Sequence, residues 1–392
     1  MTRGAVTMEK KTTLVLPTAS LYDAHVVFDD GTGYTKGRLL DTKTGEERTY
    51  RELAIVTPND EMLDEYVMGG PMPGHVVAIP GQVFSNLVGP AGLRFGRATF
   101  EGGKHRYTTP AALNRFYACL GTLLGNTQEA TIHLTAGTND EVIRTARNTI
   151  RQMFENLDEN GKPQPHMFSV DGKAYRVTIA RAHVPSQATA AAKSVRVSPP
   201  KSLEARLVEK PMEHTTILVI DGGRLSTDIA VLEPSEEKGR MVPVMRFSVM
   251  KGVGEMVTRL SAYITAQTGK VPTTRQLEWI INPRIEHLYG WISTDEGKLD
   301  LRPAIAAVFK QVWGEIWLEI AAQTKGTSPA YILVVGGMAI VAADAIKGTE
   351  LPTKTGSITL GKYKGFAIPD EPHLAVAQGM AALGDEDAAR QV

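Results

Sequence analysis

Three short stretches of this sequence combine acidic, hydroxyl and glycine residues in spacings that suit phosphate and divalent-cation chemistry. The first is Asp29-Asp30-Gly31-Thr32-Gly33-Tyr34-Thr35-Lys36, which follows a β-branched and aromatic run at 25–28. Glycines tolerate positive φ, so consecutive backbone N–H groups can converge on one phosphate. Gly31 and Gly33 would shape that concavity, Thr32 would add a hydroxyl donor, and Lys36 a point charge on the returning strand. Asp29, at the strand end, suits magnesium held through its water shell. The second stretch is Asp221-Gly222-Gly223-Arg224-Leu225-Ser226-Thr227-Asp228, again an acid closing an apolar run, at 216–220. Gly223 opens the turn, Ser226 and Thr227 bring hydroxyls, and Asp228 is placed to order the loop or touch the metal's water. The third, Ile332-Leu333-Val334-Val335-Gly336-Gly337-Met338-Ala339, is an apolar strand whose glycine pair leads into a helix. A ligand's ring or phosphate can lie there against bare backbone. One hairpin of this kind is commonplace, but two facing one another would clamp a triphosphate from both sides, as phosphoryl transfer requires.

The elements that must position these stretches follow from periodicity. Both acidic turns read as strand, glycine-bearing turn and returning strand, with returns at 34–40 and 226–232. They recur about half a chain apart, which predicts two domains on one plan. Residues 47–56 continue the first hairpin as a third strand, and 58–110, rich in Gly and Pro, read as an irregular insertion. Leu113, Phe116, Leu120 and Leu123 predict a helix over 110–124. A strand at 130–134, a helix at 139–156, a turn or hairpin tip at 160–164 and a strand at 175–183 follow. An Ala-rich helix opens at 188–193, and Ser198-Pro199-Pro200 interrupts it and crosses into the second half. That half offers strands at 244–250 and 330–335, a helix at 253–268 and a long helix or pair at 301–324. Hairpins followed by strand–helix alternation imply an α/β fold with mixed sheets flanked by helices.

Composition bounds the rest. At 392 residues two domains are expected, and 43 basic against 43 acidic side chains give zero formal charge. That balance argues against a strongly cationic nucleic-acid surface. The single cysteine, Cys119, forms no internal disulfide, which favours a cytoplasmic life. No apolar run reaches membrane-spanning length, and residues 1–11 lack the apolar stretch of a signal peptide.

In this order and spacing the three stretches resemble the superfamily of actins, heat-shock chaperones and sugar kinases. The resemblance implies an actin-like fold of two related domains, each with a five-stranded-type mixed sheet, around a nucleotide cleft. It implies domain I over 20–200, domain II over 201–370, and a C-terminal helix and tail over 371–392 returning to domain I. It makes residues 29–36 and 221–228 the two phosphate loops, and Gly336, Gly337 and Met338 the adenosine motif. Pro185-Ser186-Gln187-Ala188-Thr189-Ala190-Ala191-Ala192 and Ala375-Val376-Ala377-Gln378-Gly379 look like the two interdomain connectors.

Asp29-Asp30-Gly31 with Lys36 looks most like the ParM-type plasmid-segregation actins. That implies an ATPase with ATP (GTP as the alternative) and Mg2+ on Asp29 and Asp221. Gln187 then falls where relatives orient the attacking water; many bacterial relatives place Glu there, and Gln187 is more like eukaryotic actin. Glu255, on the helix after the second hairpin, is the ribose contact by the same resemblance. The implied partners are further copies of the chain in a filament and a small DNA-binding adaptor, with no direct nucleic-acid or membrane contact. A sugar or acetate kinase of the same superfamily, or a phage or cell-shape filament, is the alternative. A chaperone is disfavoured because no β-rich C-terminal substrate domain follows. His183 reads as a hydrogen-bonded core histidine and Cys119 as part of an apolar helix face.

Overall fold

The computed structural model describes residues 22–31, 33–58, 74–82, 85–89, 99–100, 106–138, 140–236, 240–294, 297–353 and 356–389. Thr32 and much of 58–110 lie outside them. The first half runs β1 (Ala24–Asp30), β2 (Tyr34–Asp41), β3 (Glu47–Leu53), β4 (Ile55–Pro58), β5 (His75–Ala78), β6 (Asn86–Val88), β7 (Thr99–Phe100), α1 (Pro110–Leu124), β8 (Glu129–Gly137), α2 (Asp140–Glu155), β9 (His166–Val170), β10 (Lys173–His183) and α3 (Gln187–Val197). The second runs α4 (Lys201–Glu209), β11 (Ile217–Gly222), β12 (Thr227–Ser235), β13 (Arg240–Val249), α5 (Val253–Thr268), α6 (Thr274–Ile281), β14 (Trp291–Thr294), β15 (Gly297–Asp300), α7 (Arg302–Gln323), β16 (Tyr331–Val335), α8 (Met338–Val341), α9 (Ala343–Lys347), β17 (Glu350–Thr353), β18 (Gly356–Thr359), β19 (Phe366–Ala367) and α10 (Ala375–Ala389).

Local chemistry explains the boundaries that matter for the site. Helix α1 starts where Pro110 fits the first turn and Thr109 Oγ1 accepts from the Ala112 N–H at 3.1 Å. Helix α3 starts at Ser186, whose hydroxyl accepts from Thr189 N–H at 3.2 Å. The strand β9, not expected from the sequence, pairs with β10 through Asp171-Gly172, both with positive φ. That Asp-Gly turn is the hairpin tip of the region. Residues 160–164 form a smaller turn, closed by a bridge between Leu157 and Pro163.

Two sheets carry the molecule. The first has the order β3-β2-β1-β8-β10-β9-β5-β6-β4-β7, the second β13-β12-β11-β16-β19. In each, an antiparallel meander of three strands is followed by two strands parallel to its first. The halves therefore share a five-stranded plan, β3-β2-β1-β8-β10 matching β13-β12-β11-β16-β19. The first sheet is longer because β9, then β5, β6 and β7 from the Gly- and Pro-rich insertion, and β4 from the strand just before it, extend its edge. The expected third strand, 47–56, is two strands divided at Ala54, and 301–324 is one helix.

Side-chain alternation builds the layers. On β1, Ala24, Val26 and Phe28 pack into one core with α1 and α2, while Val27 faces a second core with α3 and α10. On β11, Ile217 and Val219 face that same second core, and Leu218 and Ile220 a third, with α5 and α7. Helices α3 and α10 thus lie between the sheets. They cross so closely that a Cβ on Gly379 would run into the Ala190 carbonyl. Among the described residues no helix is long and apolar enough to cross a membrane.

Candidate functional site

The adjacent acids Asp29 and Asp30 end β1 on opposite faces, as strand geometry demands. Asp30 points with Phe28 into the α1 core and is 1% exposed. There Arg115 of α1 donates Nε to its Oδ1 at 2.8 Å and Nη2 to its Oδ2 at 2.9 Å, and Arg106 Nη2 lies 3.2 Å from Oδ2. Burial pushes the Asp30 carboxyl up, but the two guanidiniums outweigh it and leave its pKa below the ordinary value. Asp30 is a structural anchor for the turn.

Asp29 shares the other face with Val27, toward α3. It is 1% exposed, accepts from Lys36 Nζ at 2.8 Å on Oδ2, and from Gln187 Nε2 at 2.9 Å on Oδ1. Lys36 is its register partner across the hairpin, and Gly137, at the end of β8, flanks it on the other side. Gln187 reaches this place because Thr138 pins the start of α3. Gln187 N–H donates to Thr138 O at 3.1 Å, and Thr138 N–H to Pro185 O at 3.4 Å. The structure therefore brings Asp29, Lys36 and Gln187 into one hydrogen-bonded group. Gly31 leaves the turn tight: a Cβ there would lie 2.6 Å from Tyr34 O.

The second turn repeats the first. Asp221 faces Asp228 across the hairpin and is the neighbour of Val335 on β16. By alternation it lies on the face of Val219, the side of α3 and α10. Gly336, with φ +84°, has no room for a Cβ, which would meet Asp221 Oδ1 and stand 2.6 Å from Gly222 O. This close approach of backbone to carboxylate explains that glycine. Met338 is fully buried, with its Cβ and Sδ packed on Gly222, so it braces the turn. Gly337 begins α8.

The loop between the strands caps α5. Gly223 O accepts from Val253 N–H at 3.1 Å and Arg224 O from Gly254 N–H at 2.7 Å. Thr227 donates its hydroxyl to Lys251 O at 2.8 Å, and Asp228 accepts from Ser248 and, at 3.5 Å, from Ser226. Asp228 thus orders the loop, one of the two roles open to it in the sequence.

The turns meet: a Cβ on Gly33 would sit 3.4 Å from Arg224 Cβ. Arg224 is ion-paired to Glu278 of α6. Tyr34, beneath the Arg51 guanidinium at 4.5 Å, has its hydroxyl pKa raised by burial and by Glu278. Glu255 lies in the first turn of α5, next to Gly254, whose N–H is bonded to Arg224 O. It accepts from Arg259 Nε at 2.7 Å and lines a groove of about 1100 Å³ with Arg224, Leu225, Thr258 and Leu277. The lining of that groove includes none of Asp29, Asp221, Gly336, Gly337 and Met338. His183 is half-exposed rather than core, 3.7 Å from Asp387.

Among the described residues no three or more His, Cys, Asp and Glu are arranged to hold a metal alone. Two strand-end carboxylates are nevertheless a fit for magnesium, which takes one or two carboxylates and completes its shell with water and phosphate. Arg51, Arg106, Arg115 and Glu278 were not singled out in the sequence. Only Arg51 left a trace there, because it falls opposite Lys36 once β3 is recognised.

No family model and no curated protein matches the sequence. Solved structures do match. An archaeal actin homologue superposes with a TM-score of 0.68 at 16% identity, over 94% of this chain and 100% of its own. A ParM from a 15-stranded Clostridium botulinum filament gives 0.67 at 16%, over 93% and 100%. A Bacillus thuringiensis ParM solved with ATP gives 0.65 at 11%, over 93% and 99%. At such identities the likeness speaks for architecture: the fold is actin-like, as the sequence resemblance implied.

Proposed function

We propose that this actin-like chain binds a nucleoside triphosphate, taken as ATP, with magnesium between its halves, assembles into filaments in that state and disassembles after hydrolysing it. The halves correspond to 20–200 and 201–370, with 371–392 returning across the cleft. The observation that supports this reading is the twin strand plan, whose acidic ends Asp29 and Asp221 face the same helical layer beside touching turns. Solved relatives include an archaeal actin homologue with ADP, a ParM with ATP and a ParM filament.

Each residue then has a task. Backbone N–H groups at Gly31 and Gly33, with Ser226 and the hydroxyl of Thr32, hold phosphates, while Gly223 shapes the second turn, its own N–H donating to Ser226 O at 2.9 Å. Thr227 adds little as a donor, since its proton is given to Lys251 O. Lys36 neutralises phosphate charge while its Asp29 contact fixes its position. Asp29 and Asp221 hold Mg2+, which when bound offsets the charge of the phosphates. Gln187, tethered by its NH2 to Asp29, presents its amide oxygen to a water and aligns it without acting as a base. Gly336 and Gly337 form the wall for the base, with Met338 bracing it from behind, and Glu255 is the proposed ribose contact. Plasmid segregation in the cytoplasm through a DNA-binding adaptor is the finer form of this reading.

Gln187→Ala is the variant that isolates the water-orienting step. Phosphate release should fall about 10- to 100-fold while nucleotide affinity changes less than about twofold. An unaltered rate would remove Gln187 from the reaction.

A further inference from the structure

Between β19 and α10 the chain passes beside the glycine pair of β16. Pro372 O accepts from Gly336 N–H at 2.8 Å, which pins the segment there. The next residue, His373, is 6% exposed, and its Nδ1 is buried with no hydrogen-bond partner among the described residues. Leaving such an atom unpaired costs about 1–3 kcal/mol, so a buried orphan of this kind points to a ligand. The charges that lower the pKa of the ring are those of Arg51, Arg284 and Lys36. Burial and these cations push its pKa down to about 3, so the ring is neutral at neutral pH.

The cations come from both halves. Lys36 and Arg51 are register partners on β2 and β3, and Arg284 donates to Asp370 O at 3.3 Å. A buried ring with a spare polar atom, acted on by cations from both halves, suits a polyanion. Lys36 shares Asp29 with Gln187, the amide assigned to the attacking water. The phosphate beside Lys36 is therefore the one at which water attacks, the terminal one.

We propose that His373 is a phosphate-contacting residue of this cleft, its Nδ1–H donating to the terminal phosphate of the bound triphosphate alongside Lys36, Arg51 and Arg284. The assignment rests on the nucleotide reading above and makes His373 a discriminator between triphosphate and diphosphate. A neutral imidazole with its proton on Nδ1 is a suitable donor, and a bond to a charged acceptor is among the stronger ones. Because His373 follows β19 of the second half while Lys36 and Arg51 belong to the first, the contact also ties the halves together when triphosphate is bound.

Calorimetric titration of the full chain with a non-hydrolysable ATP analogue and with ADP, each with magnesium, tests this. His373→Leu should bind the triphosphate about tenfold more weakly and ADP within about twofold of wild type. His373→Asn, which keeps an N–H donor near Nδ1, should recover most of the loss. In the unaltered protein the Nδ1 resonance of His373 should shift with the triphosphate analogue and not with ADP, a readout that does not depend on the Leu variant folding. Wild-type binding with unchanged triphosphate affinity in both variants, or an Nδ1 resonance indifferent to the analogue, would overturn the role of His373 alone. Failure of the wild type to bind either nucleotide would overturn the nucleotide reading with it.

Discussion

Asp221→Ala is expected to lower nucleotide hydrolysis by about 100-fold or more with the fold intact. The carboxylate ends a buried strand, pressed against Gly336, where backbone has been cleared of a side chain to make room for it. Removing it relieves crowding rather than opening a core cavity, so the melting midpoint should move little. On the proposed reading, what goes is one of the two carboxylates that would hold the metal, and with it the charge balance of the terminal phosphate. Phosphate release beside a thermal melt checks both parts. Turnover retained in a folded Asp221→Ala protein would place the second turn outside the reaction.

The second large effect is on stability. Gly379→Ala should destabilise the protein by about 3 kcal/mol, because α10 would have to move off α3. Helix propensity works the other way, since alanine is favoured over glycine in a helix by about 1 kcal/mol. The collision outweighs it, for the obstacle is the Ala190 backbone carbonyl and no rotamer change removes it. The crossing is made from small residues, Ala188, Ala190, Ala191, Ala192, Ala375, Ala377 and Ala381, all in the core between the sheets. A urea midpoint that falls in the variant is the expected result. One that rises would mean that these helices do not meet at Gly379.

The parts of this molecule that rest on local chemistry were readable in the sequence. Both acidic hairpins were, because β-branched runs flanking Asp-Gly turns specify a local structure. So was α1, whose start and apolar face depend only on nearby residues. The Asp171-Gly172 turn carried the same kind of signal, yet the mixed run at 166–170, with Met167 exposed, concealed the strand before it.

The partners of the acids were another matter. Arg115 meets Asp30 from 85 residues away, and Gln187 meets Asp29 from 158. Such pairings follow from how α1 and α3 pack on opposite faces of β1. Strand alternation predicts that Asp29 and Asp30 must part company, but only packing says which of them faces the cleft. His373 was hidden for the same reason: the charges that act on it come from β2, β3 and the stretch after α6.

Light scattering of the purified chain tests the central claim most directly. With ATP and magnesium added above a critical protein concentration, scattering should rise and then fall as the nucleotide is consumed. A flat trace accompanied by sugar- or acetate-dependent ATP turnover would contradict it and make the chain a kinase.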